Sequence, residues 1–150
     1  STLHTNDSAS AITRLVDIGV EPFLISSSVL AVVAQRLVRV LCDECKQRYV
    51  PNDIYLKSIG LTPDHFNKRN VFKAVGCENC IHTGYRGRLG IFEIMVLTEQ
   101  LKGVILKTFD SNRIKSEAIQ QKMISLRQDG LKKVLEGITT IEEVLRVTQK

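Results

Sequence analysis

Four cysteines fall as two matched pairs, Cys42-x-x-Cys45 and Cys77-x-x-Cys80, with 31 residues between the pairs. A C-x-x-C turn sets two thiolates on one side of a knuckle, and two knuckles supply a closed set of four sulfurs that suits tetrahedral Zn²⁺. Four protein ligands leave no open position for water, so the expected site is structural and not catalytic. The spacer exceeds the ~15–20 residues of common zinc ribbons, which predicts a small subdomain inside it. Disulfides or free thiols are the other readings. The polar start of the chain lacks a basic n-region followed by an apolar h-region, so no export signal supports an oxidising compartment. A thioredoxin-like redox pair fits poorly, because neither pair sits between a strand and a long helix. Lys46, Arg48, Lys73, Arg86 and Arg88 flank the knuckles and would offset the charge of a dianionic ZnS₄ cluster. For Lys46 and Lys73, solvated surface is the simpler expectation.

The three histidines are the next chemistry-bearing residues. His82 follows Cys80 and could substitute as a ligand, but four cysteines already fill a tetrahedral shell. His65 belongs to a polar helical stretch and is expected at the surface. His4 closes a short apolar extended run beside Thr2, Thr5 and Asn6. Polar groups crowded at the C-terminal end of a strand are where α/β sheets place their sites. A lone histidine is more often structural than functional, and the residues themselves leave both roles for His4 open.

The elements that must carry these residues read as follows. Asn6, Asp7 and Ser8 are candidate caps for a helix through Ala11, Ile12, Leu15 and Val16, with Gly19 as its stop. A short helix is expected over Phe23–Val29. The apolar run Ala31–Val40 reads as a mostly buried strand, with helix as the alternative. Between the cysteine pairs, Pro51-Asn52-Asp53 opens a helix through Ile54, Leu56 and Ile59. Thr62-Pro63 opens a second over Asp64–Asn67, and Val71–Val75 reads as a strand. Gly84-Tyr85-Arg86-Gly87-Arg88-Leu89-Gly90 reads as a glycine-rich basic turn before a strand over Leu89–Val96. Thr98, Ser111 and the capping box Thr140/Glu143 open helices, and a third stripe at Leu131, Val134 and Leu135 ends at Gly137. No internal repeat or low-complexity stretch appears.

With 150 residues, 43% hydrophobic and 25% charged, the chain is long enough to bury a core and too apolar to be disordered. No apolar run approaches the ~20 residues of a membrane span. The net charge of +5 is a mild bias toward anionic partners. A zinc-ribbon nucleic-acid binder would use the same cysteines and charge. Against it stand the apolar run at 29–41, an aromatic content of 5%, and acids interspersed among the bases.

The order of several segments resembles the family of type II secretion and type IV pilus assembly ATPases, with the type II secretion branch nearest. Ser1-Thr-Leu-His-Thr-Asn6 resembles that family's His box. The resemblance continues through Glu21-Pro-Phe-Leu-Ile-Ser-Ser-Ser28, Gln35-Arg-Leu-Val-Arg39, the tetracysteine insert and Gly84-Tyr-Arg-Gly-Arg-Leu-Gly-Ile-Phe-Glu93. It runs on to Gly137-Ile-Thr-Thr-Ile-Glu-Glu-Val-Leu-Arg-Val-Thr148. Retraction-type pilus motors usually lack the tetracysteine insert.

The resemblance implies an α/β fold (α+β in isolation): the C-terminal part of a RecA-like P-loop ATPase domain with a zinc subdomain and a C-terminal helical bundle. The implied segments are 1–41 for the ATPase core, 42–80 for the tetracysteine subdomain, 81–97 for a return strand of the core, and 98–150 for the helical part. It implies a homo-hexameric motor on the cytoplasmic face of a bacterial inner membrane, working with platform proteins of that membrane and with no nucleic acid. It places His4 near the γ-phosphate of ATP, and Arg86 and Arg88 near the nucleotide, with Arg88 on the adenine side. Arg36 and Arg39 are expected in structural or intersubunit ion pairs. No G-x-x-x-x-G-K-[ST] occurs in these residues, and the Asp box and Walker B acid are absent as well. ATP and Mg²⁺ therefore belong to the intact motor, and these residues alone are expected to be inactive.

Overall fold

The computed structural model describes residues 1–62 and 71–149, a mixed α/β arrangement in two compact units. The helix expected over Asp64–Asn67, with His65, lies outside the described residues. The first unit combines residues 1–36 with 91–129, and the second combines 37–90 with 130–149.

In the first unit, α1 (Ser8–Asp17) is capped by Asp7, whose carboxylate accepts from the Ser10 amide at 2.9 Å. Of the three candidate caps it alone stands just before the first turn with extended backbone. Pro22 starts α2 (Pro22–Ser28), where a missing N–H costs nothing. Thr98 caps α4 (Glu99–Ile105). The cap of α5 (Ser111–Gln120) is Asp110 and not the expected Ser111. The Asp110 side chain accepts from the Asn112 amide at 2.9 Å, which puts Ser111 inside the first turn. Ile12, Ile25, Met95, Leu101, Ile105 and Ile114 form the fully buried centre of this unit, where α1, α2, α4 and α5 pack on one another. Burying side chains of this size stabilises by about 1.5–3 kcal/mol each.

β1 (Ala31–Leu41) is a strand, as read, but it is not mostly buried. It pairs with β4 (Tyr85–Val96) in a two-stranded sheet, and its side chains alternate. Up to Val38, which is buried, the alternate positions Val33 and Leu37 are 57% and 48% exposed; the alternation ends at Leu41, which is buried although it is in phase with them. The apolar run hid the period of two, because both faces carry valine and leucine. β4 shows the same alternation, with Ile91, Glu93 and Met95 buried and Phe92, Ile94 and Val96 outward. It also begins four residues earlier than expected. Tyr85–Gly90, read as a turn, belongs to the strand, because pairing with the long β1 outweighs the weak strand propensity of two glycines. Ser1–Thr5, read as a strand ending at His4, holds no helix or strand. A strand needs a ladder partner, and this sheet has two members, β1 and β4.

In the second unit, β2 (Gln47–Tyr49) pairs antiparallel with β3 (Val71–Lys73), Arg48 facing Phe72. β2 went unread because three residues rich in polar groups give no periodic signal. Between these strands runs α3 (Asp53–Ser58), capped by Asn52. α6 (Leu126–Leu135), which belongs to this unit from Gly130 onward, leads to α7 (Ile141–Thr148), capped by Thr140 through the Glu143 amide. The expected reciprocal half of that capping box is absent. The Glu143 carboxylate instead takes Arg39 Nη2 at 2.6 Å, the Arg39 amide at 3.0 Å, and Arg146 Nε and Nη2 at 2.9 Å each. Two guanidinium groups offer charge as well as hydrogen bonds, so they win over a neutral amide.

Burial of Glu143 works against its charge, but the hydrogen bonds from Arg146 and Arg39 outweigh it and hold its pKa down to about 2. In the first unit Asp7 follows the same logic. Burial raises it, Lys115 and Ser10 lower it further, and it settles at about 2. Both carboxylates bind a proton more tightly in the unfolded chain. Their stabilisation is therefore complete above the ordinary carboxylate range and is lost as pH falls from about 4.5 toward 2. Urea unfolding at pH 6 and pH 3 should show this loss. Glu143→Gln should remove part of the slope and cost about 3 kcal/mol at pH 7, the lower end for breaking a buried pair, since both arginines are half exposed.

Candidate functional site: a four-sulfur centre and the His4 segment

The four cysteines come together. All four sulfurs lie within 4.8 Å of one another, with Cys42–Cys77 at 3.9 Å, Cys45–Cys80 at 3.8 Å and Cys77–Cys80 at 3.7 Å. None is in a disulfide. The set could hold a metal ion, and among the described residues it is the group of His, Cys, Asp and Glu side chains that converges this way; His82 is not part of it.

Local backbone makes the convergence possible. Cys77 precedes a single 3₁₀ turn, Glu78–Cys80, that folds its own amide back onto the Cys80 sulfur at 3.2 Å. The amides of Gly76 and Gly84 donate to the sulfurs of Cys45 and Cys80 at 3.3 and 3.2 Å. Both glycines sit at positive φ, +112° and +75°. A Cβ at Gly76 would lie 2.6 Å from the His82 carbonyl oxygen, and one at Gly84 equally close to the Ala74 side chain. Only glycine lets an amide approach sulfur this way.

Burial opposes ionisation of Cys80, but the amides of Cys77 and Gly84 outweigh it and bring its thiol down to about 6. Burial pushes Cys45 up to about 11. Cys80 is the sulfur with two amide donors.

The basic residues around the knuckles divide. Lys46, expected in solvent, is held. Its ammonium donates to Asp43 at 2.6 Å and to the Gly137 carbonyl at 3.3 Å, and it lies over the Phe72 ring at 5.2 Å. Arg48 covers the same ring at 5.7 Å. Arg39 makes the ion pair expected of it, within the chain and to Glu143. Its guanidinium also lies over the Tyr85 ring at 4.0 Å, while the Tyr85 hydroxyl meets Thr140 Oγ1 at 3.0 Å. Arg86 and Arg88 are exposed on β4. Arg88 lines a cavity of about 580 Å³ with Leu37, Arg39 and Arg146.

His4 lies in the first unit, exposed, on a cavity of about 310 Å³ shared with Thr5, Asn6, Ser10, Thr13, Arg14, Asp17 and Ser111. The segment behind it is tied down. Arg36 donates to the Thr5 carbonyl at 3.0 Å. Fully buried Glu93 accepts from the Ser8 amide and hydroxyl and, at 3.3 Å, from the Leu126 amide, so one carboxylate serves the first turns of α1 and α6. Lys115 joins Asp7 at 2.8 Å and Glu93 at 3.7 Å. Glu93 went unnoticed in the sequence. A glutamate at an inward position of an otherwise apolar strand was the available signal.

Comparison with known proteins gives this arrangement a context. Residues 1–146 match the family model described as type II/IV secretion system protein. The chain is 47% identical over its whole length to the type II secretion system protein E of Pseudomonas aeruginosa, covering 29% of that protein. It is 45% identical over 99% of its length to the type IV pilus assembly ATPase PilB of Thermus thermophilus, covering 17% of it. It is 47% identical over 98% of its length to the type IV pilus assembly ATPase TfpB of Acinetobacter baylyi, covering 25% of it. The chain thus spans between about a sixth and under a third of the length of these relatives, and it belongs to the type II/IV secretion system protein family.

Proposed function

We propose that these residues form the C-terminal part of a hexameric, RecA-like ATPase that powers type II protein secretion from the cytoplasmic face of a bacterial inner membrane, together with platform proteins of that membrane. The observation that carries this reading is the unbroken similarity of the whole chain to secretion and pilus ATPases. No helix among the described residues is long and apolar enough to cross a membrane, which accords with peripheral attachment. In this reading 1–41 and 81–97 are core, 42–80 is the metal subdomain and 98–150 is the helical end.

The metal is zinc, held by Cys42, Cys45, Cys77 and Cys80, and it supplies a structural cross-link. A tetrahedron with Zn–S bonds of ~2.3 Å has edges of ~3.8 Å. Three of the six sulfur separations, 3.9, 3.8 and 3.7 Å, match those edges, and all six are within 4.8 Å. His4 contacts the γ-phosphate, and Arg86 and Arg88 contact the nucleotide. The phosphate-binding loop that would cradle the triphosphate and its Mg²⁺ during hydrolysis does not occur in these residues.

A pilus-assembly motor is the second reading, favoured by pilus relatives as similar as the secretion ones. Deleting the gene and scoring both exported proteins and surface pili separates the two. Loss of export with pili intact is expected. Loss of pili with export intact would assign the chain to the pilus branch.

A further inference from the structure

The cavity of about 580 Å³ in the second unit is lined by three guanidinium groups and one leucine. They come from Arg39 on β1, Arg88 on β4 and Arg146 on α7. Glu143 is the acid within reach, and it is saturated: each of its oxygens already accepts from both Arg39 and Arg146. One carboxylate against three arginines leaves two positive charges facing the cavity. The three differ in how they are held. Arg39 is fixed from two sides, by Glu143 and by the Tyr85 ring at 4.0 Å, and Arg146 is fixed by two bonds to the same carboxylate. Arg88 is exposed, and its guanidinium makes no hydrogen bond or ion pair among the described residues. Two preorganised guanidiniums and a third free to close make a clamp for an anion with several oxygens.

We propose that Arg39, Arg88 and Arg146 form a binding site for a phosphate-bearing small molecule with at least two linked phosphates. The lining favours phosphate over a nucleobase. Leu37 is its one apolar member, and Arg39 already covers the face of Tyr85 on which a base would stack. The volume is many times the roughly 30 Å³ of a single water, enough for a chain of phosphates. The ligand can be free polyphosphate or the phosphate tail of a nucleotide. This goes beyond the reading above, in which Arg88 meets an adenine, and it requires no phosphate-binding loop.

The test titrates the 150-residue chain with inorganic tripolyphosphate, ATP and adenosine by calorimetry at low salt, and repeats it with added salt. Saturable binding of tripolyphosphate is expected, with no heat from adenosine. Comparable affinity for ATP assigns the natural ligand to nucleotides and weaker ATP binding assigns it to free polyphosphate; either supports the site. Arg88→Ala should weaken tripolyphosphate about tenfold, the size expected for one charge-assisted contact. It should leave the unfolding midpoint unchanged, because the Arg88 side chain is exposed and makes no hydrogen bond or ion pair among the described residues. Arg146→Ala should weaken binding as well, with its unfolding midpoint measured alongside. Lys57→Ala, on exposed α3, removes the same charge elsewhere and should have little effect. No saturable tripolyphosphate binding, or equal weakening by Lys57→Ala and Arg88→Ala, would overturn the site. Arg88-dependent adenosine binding without tripolyphosphate binding would also overturn it while supporting the adenine assignment. The motor reading is decided separately, by turnover.

Discussion

Cys77→Ser is expected to empty the four-sulfur centre and unfold the region around it while sparing the first unit. Wild-type protein purified without added metal should contain about one zinc per chain, and the variant close to none. The reason is geometric. With one sulfur lost, the three that remain no longer close a tetrahedron, and the knuckles lose the cross-link that holds 42–45 against 77–80. Metal binding in such small sites is folding free energy, of order 10 kcal/mol for peptides that depend on it wholly. Here β2, β3 and the packing of Val71 and Leu56 retain part of the structure, so the loss is regional. Hydrogen exchange reads this directly. The amides of Gly76 and Gly84, which donate to sulfur, should lose protection, while those of α5 should keep it. Gly76→Ala should produce a milder version with all four ligands present, because the added Cβ collides with the His82 carbonyl. Disulfides in place of metal, or equal loss of protection in α5, would contradict the assignment.

His4→Ala, made in the full-length motor proposed above, should lower kcat for ATP about 10²–10³-fold, by analogy with the loss of one transition-state hydrogen-bond donor. KM should change far less, since phosphate-binding groups elsewhere would carry ground-state affinity. Arg36, Asp7 and Glu93 hold the backbone behind His4 independently of its side chain, so the substitution should leave stability untouched. Unchanged turnover would make His4 a surface residue of its cavity. A parallel fall in affinity and turnover would mean that it acts on bound ATP and not selectively on the transition state.

The four-sulfur cluster was legible because cysteine pairs carry their chemistry in their spacing. C-x-x-C brings two sulfurs to one knuckle whatever surrounds it, and the four did converge. Helices were legible from caps, as at Thr98 and Thr140, where a local side-chain bond decides the start. Errors came where a distant partner decided the outcome. Tyr85–Gly90 read as a turn until β1 supplied a partner strand, and Ser1–Thr5 read as a strand although it has none here. The Thr140/Glu143 capping box lost half its bonds to Arg39, which lies 104 positions earlier in the chain. The partners of Glu93 and the arginine cavity were invisible for the same reason. Each joins residues from three or four elements, and no local pattern records which elements will meet.

If these residues belong to the ATP-driven motor proposed above, they should not turn over ATP by themselves. Steady-state phosphate release, measured side by side for the 150-residue chain and for the full-length product of its gene, tests it most directly. Mg²⁺-dependent hydrolysis is expected from the full-length protein and none from the 150 residues. Metal-dependent turnover by the 150-residue chain that survives repurification, or a full-length protein with no ATPase activity in its assembled state, would contradict it.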